Sequence, residues 1–171
     1  MLSIGSYVSY RAEGVCKISD IRTENFGVLG RDVLYYVLNP VGDEKSVFFV
    51  PVDNERLVSM MRKILSADEI TDMIKASLLR GGEWISDSKQ RSNRFKEILS
   101  VGEREELVLM IHILKRHIDD AAENGKKSYI TDVNAMKRAS KILFDEFSMT
   151  IPMSSPDDVI ALIEKIYEEN K

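Results

Sequence analysis

The spacing of apolar residues changes period partway along this 171-residue chain, and that change limits the possible folds more than any single motif does. Up to Pro51 the apolar residues come in short β-branched and aromatic runs, the pattern of strands. From Ser66 onward they recur only at helical intervals. The stretch Arg80-Gly81-Gly82-Glu83-Trp84-Ile85-Ser86 separates the first helix from the purely helical remainder and holds the only tryptophan. A Trp after a glycine pair can anchor a helix corner in a core or stand out as a contact residue. Spacing alone favours the anchor, because large apolar side chains are buried more often than displayed.

The strand-like part reads in short pieces. Ser6 to Tyr10 begins a strand that Gly14 interrupts, and Val15 to Ile21 alternates, with Cys16, Ile18 and Asp20 on one face and Val15, Lys17, Ser19 and Ile21 on the other. Asn25, Gly27 and Gly30 mark a longer loop. Val33 to Leu38 is a continuous apolar run suited to a central strand, and Ser46 to Val50 is a further strand that Pro51 ends. Four or five short strands in about sixty residues are expected to curl into a small barrel, placed at 1–60. Through Lys63, eight basic side chains face eight acidic ones, so the barrel offers no electrostatic footprint for nucleic acid and a protein partner is expected for it. Ser46, Val47, Phe48 and Phe49, beside a turn, are the candidate edge for adding a partner's strand.

The remainder predicts five helices over 66–171. Ser66 and Glu69 form a capping box for a helix to about Leu79, and Ser86 or Ser88 can cap a second to Leu99. A third runs from about Glu103 to Glu123 with a stripe of Leu107, Met110, Ile111, Leu114 and Ile118. Thr131 can cap the fourth, and Ser155-Pro156-Asp157-Asp158 opens the last.

Composition excludes several classes. Apolar content of 44% with 30% charge is that of a folded globular protein, and no apolar run is long enough for a membrane helix. The N-terminus lacks a signal-peptide pattern and Cys16 has no partner cysteine, so a cytoplasmic location is expected. His112 and His117 lie five apart, on different helix faces, and no metal set, phosphate loop or nucleophile elbow is present. A binding protein rather than an enzyme is expected, monomeric, without cofactor, metal or small-molecule substrate. Although the net charge is −4, Leu79 to Lys96 holds five basic residues against two acidic ones around Trp84.

The series Gly5-x-x-Val8-x-Tyr10-x-x-x-Gly14-Val15-x-x-Ile18, then Val50-Pro51-x-Asp53-Asn54, then Trp84 followed by basic residues and Ile98-Leu99-Ser100-x-Gly102-Glu103, resembles the CarD/CdnL family of bacterial transcription regulators. The resemblance implies an α+β chain with a Tudor-like RNA polymerase-interaction domain at 1–60 that binds the polymerase beta subunit, and a helical DNA-binding domain at 61–171. It further implies that Trp84 wedges into the minor groove of promoter DNA at the upstream edge of the bubble, without reading sequence, and steadies the open complex. Ile85-Ser86-Asp87-Ser88 separate the Trp from the basic residues. Phosphate contacts are therefore expected from Lys89, Arg91, Arg94 and Lys96. The rival reading is a protein-interaction adaptor that binds no DNA and keeps Trp84 buried.

Overall fold

The computed structural model describes residues 2–27, 30–43 and 45–171, which form two compact units divided after Ile64. Residues 28 and 29, in the loop expected from Asn25 to Gly30, lie outside the described residues. The chain is α+β, an antiparallel sheet followed by helices.

The first unit is a five-stranded sheet of β1 (Tyr7–Tyr10), β2 (Val15–Glu24), β3 (Val33–Pro40), β4 (Phe48–Pro51) and β5 (Met61–Lys63), in the order β4-β3-β2-β1-β5. The barrel expected from the short strands is not closed: β4 and β5 are the two edges, and no pairing joins them among the described residues. These end strands are four and three residues long, with few backbone groups to form a closing ladder. β5 pairs with β1, Tyr10 opposite Met61, so the sheet extends past the boundary at 60 that the sequence suggests. A short helix α1 (Glu55–Ser59) leads into it, capped by the Asn54 side chain, which accepts from the Leu57 N–H.

The core of this sheet is Val8, Tyr10, Cys16, Ile18, Tyr36, Leu38, Val50 and Met61. Strict alternation would put Ile21 on the face away from Cys16 and Ile18, yet Ile21 packs against the same core. The cause is a bulge: the register between β2 and β3 shifts between Ile18 and Asp20, and the extra residue, Ser19, turns its hydroxyl to donate to the Val37 carbonyl.

The second unit holds α2 (Ala67–Arg80), α3 (Ser88–Val101), α4 (Arg104–Glu123), α5 (Ile130–Phe147) and α6 (Pro156–Glu169). The capping box at Ser66 and Glu69 forms in both directions. Asp87 rather than Ser86 or Ser88 caps α3, accepting from the Gln90 N–H, and α5 starts at Ile130, one residue before Thr131. The apolar stripes of the helices meet in one core around Ile74, Phe95, Leu107, Ile111, Leu114, Leu143, Phe147 and Ile163. An ion pair between Arg104 and Glu146, 2.6 Å apart and buried at both ends, ties α4 to α5. No helix of the described residues is long and apolar enough to cross a membrane.

Candidate functional site

Two glycines decide where Trp84 goes. Gly81 ends α2 at φ 66°, a conformation costly for side chains with a Cβ, and its N–H donates to the Leu78 and Ser77 carbonyls. Gly82 then passes so close to α4 that a Cβ there would stand 2.7 Å from Ile113 Cδ1. The chain turns off α2 and lies down on α4. Trp84 is consequently half-buried against the helical core, its ring stacked on His117 with centroids 3.6 Å apart and 21° between planes. The Arg91 guanidinium lies 4.3 Å from the indole centroid.

Arg91 corrects the sequence-based expectation of a phosphate contact. It is 1% exposed. Nη2 donates to Asp132 at 2.9 Å and Nε at 3.2 Å, while Nη1 donates to the carbonyls of Ile85 and Ser86 at 2.8 and 3.2 Å. A guanidinium so buried, with four of its five N–H donors engaged, is not offered to DNA; it fastens the Trp84–Ser86 segment to the start of α5.

The other expected DNA residues divide. Lys89 and Lys96 are exposed, lie seven apart and so on one face of α3, and make no ion pair among the described residues. Arg94 is exposed but held by Glu97 and Glu106, and Glu106 also holds Arg80 at 2.7 Å. Exposed pairs of this kind are weak, each worth up to ~1 kcal/mol, so phosphate can compete for Arg94 where it cannot for Arg91.

Two residues escaped the sequence reading. Lys126 and Lys127, in the loop between α4 and α5, line a groove together with Trp84 and His117. Lys126-Lys127 directly after the helix stop Asn124-Gly125 was the available signal. What hid it is that the twenty residues of α4 must be folded before the loop is seen to return beside Trp84.

In the first unit, Ser46 and Val47 precede β4 instead of belonging to it. The Ser46 hydroxyl donates to Asp43, and this bond, with the Lys45 N–H, holds the Asp43 carboxyl below its ordinary pKa. The turn therefore extends to Ser46, and the strand runs Phe48–Pro51 rather than Ser46–Val50. Within it Phe48 packs against the core, 6.3 Å from Tyr10, while Phe49 takes the other face with Phe26 at 4.9 Å and Arg22 at 5.6 Å. The outer side of β4 pairs with no strand among the described residues.

The family model of the CarD-like/TRCF RID domain matches residues 2–65, the whole of the described sheet and α1 and none of the later helices. No curated protein matches the chain. Residues 2–65 therefore form a domain of the CarD-like/TRCF RID type, which supports an RNA polymerase-interacting, transcription-related protein.

Proposed function

We propose that this protein is a non-enzymatic transcription regulator. Its Tudor-like sheet holds the beta subunit of bacterial RNA polymerase, and its helical unit contacts promoter DNA at the upstream edge of the bubble, steadying the open complex as a monomer. The observation that carries the polymerase half is the RID match over a sheet whose β4 edge is unpaired, since an added strand gains backbone hydrogen bonds there without needing charge. Support for the DNA half is the position of a half-exposed Trp84 beside Lys126 and Lys127, a ring and cations of the kind that hold a distorted minor groove.

The adaptor reading draws on a specific observation too, the stacking of Trp84 on His117 and Arg91. Promoter complexes formed with the full-length chain separate the two. Trp84→Ala is expected to be retained by the beta subunit as the parent is, and to lose the lengthened open-complex lifetime. An unchanged lifetime in the variant would install the adaptor in its place, and failure of the parent to bind the beta subunit would remove the polymerase half.

A further inference from the structure

Tyr129 stands at the entrance to α5 with 63% of its surface exposed. A single exposed ring is ordinary on a protein surface; what sets this one apart is that it lines a groove with a second ring and two lysines. Its backbone is fixed, because the Tyr129 carbonyl accepts from the Asp132 and Val133 N–H groups at 3.0 and 3.2 Å. Its ring is backed by Arg91, whose guanidinium lies 5.5 Å from the Tyr129 centroid and 4.3 Å from that of Trp84. One buried cation, itself held by Asp132, thus supports two aromatic side chains that line the same groove.

That groove has a volume of about 280 Å³. Leu114, Ile118 and Ala121 give it apolar lining, and Lys126 and Lys127, exposed and without ion pairs among the described residues, give it positive charge. Asp132 also lines it, but its carboxylate is neutralised by Arg91. The size falls just under that of ordinary ligand sites, which begin near ~300 Å³, and suits a planar body of one nucleoside. Aromatic faces beside lysines are the combination by which proteins hold unpaired nucleotides: the ring stacks on the base and the cations meet the phosphate.

We propose that this groove takes a single unpaired nucleotide of a DNA strand, its base stacked on Tyr129 next to Trp84 and its phosphate on Lys126 and Lys127. The inference rests on the DNA-contacting reading of the helical unit, and adds to it a strand-selective slot separate from any wedging of Trp84.

Anisotropy titrations of the full-length chain at low salt, with a labelled forked duplex, a blunt duplex of the same sequence and a fork abasic at the first unpaired position, test it. The parent is expected to bind the fork about tenfold tighter than either other probe, in line with one stacked base. Tyr129→Ala should lose that preference while keeping its affinity for blunt duplex and its thermal melt, and Tyr129→Phe should restore it. Equal affinity for the fork and the abasic fork, or a Tyr129→Ala variant that keeps the preference, overturns the slot while the DNA reading stands. Competition by free deoxynucleoside monophosphate as strong as by the fork also overturns it, in favour of a mononucleotide site. Binding to none of the probes overturns the slot and the DNA reading together.

Discussion

Trp84 carries two jobs that pull in opposite directions, since a ring packed on His117 and the helical core stabilises the fold while a ring offered to DNA must keep a face or edge free. A fully buried Trp truncated to Ala costs ~3–5 kcal/mol, and half-burial scales that down to about 2 kcal/mol. Trp84→Ala is therefore expected to remain folded at 25 °C with a clearly lowered melting temperature, measured by circular dichroism. A loss above about 4 kcal/mol would make it a core anchor, and no loss a purely displayed side chain. Cys16 sits at the other extreme, 0% exposed in the sheet core, where burial, with a smaller push from the charge of Glu13, raises its thiol from 9.0 to about 11. The native state then holds this proton to higher pH than the unfolded state does. The contribution is complete below about pH 9 and falls away as pH rises toward about 11, by up to about 3 kcal/mol. Chemical denaturation of the parent and of Cys16→Ala across that range should show the parent losing the extra stability, and the native thiol should be silent to alkylation at neutral pH.

At the level of elements, the start of α5 is fastened to the Trp84 segment by Arg91 and Asp132. Removing one partner leaves the other charge buried or its donors unmet, so Arg91→Met or Asp132→Leu is expected to cost about 3–5 kcal/mol. The paired replacement Arg91→Met with Asp132→Leu should recover most of it, read as a double-mutant cycle by urea melts. This pair also marks the limit of what the sequence disclosed. The capping box at Ser66 and the stripe of α4 are local, set by residues three or four apart, and they fold as read. Arg91 was counted as a free cation because the carboxylate that buries it is forty-one residues away in sequence. The open sheet and the late β5 were missed for the same reason, since Met61–Lys63 has no alternation of its own and is a strand only by pairing with β1. Lys89 and Lys96 were legible as exposed cations because α3 is regular and its polar face follows from spacing alone.

Across the whole molecule the charge is uneven: the first 64 residues are neutral, so the entire net charge of −4 lies in the helical unit that is proposed to meet DNA. An acidic body repels a duplex except where cations stand within about a Debye length, ~10 Å at 0.1 M salt, of the phosphates. Contact must then be confined to exposed cations that are unpaired among the described residues, such as Lys89 and Lys96 on α3 and Lys126 and Lys127 beside Trp84. Four neutralised phosphates give a log-log salt slope of about −3.6, shallow beside that of dedicated DNA-binding proteins. Affinity for free duplex should accordingly be weak and depend on polymerase to raise the local concentration. Filter binding of the full-length chain from about 50 to 200 mM salt is expected to return that slope, and each Lys→Gln replacement to flatten it by about 0.9. Replacing Arg91 by Met should weaken binding through the misplaced Trp84 yet leave the slope of the folded fraction unchanged, because its charge is already spent on Asp132. A slope flattened by the Arg91 replacement as much as by a lysine replacement would mean that the guanidinium leaves Asp132 to meet phosphate. Trp84 would then be freed from its arginine each time DNA is bound.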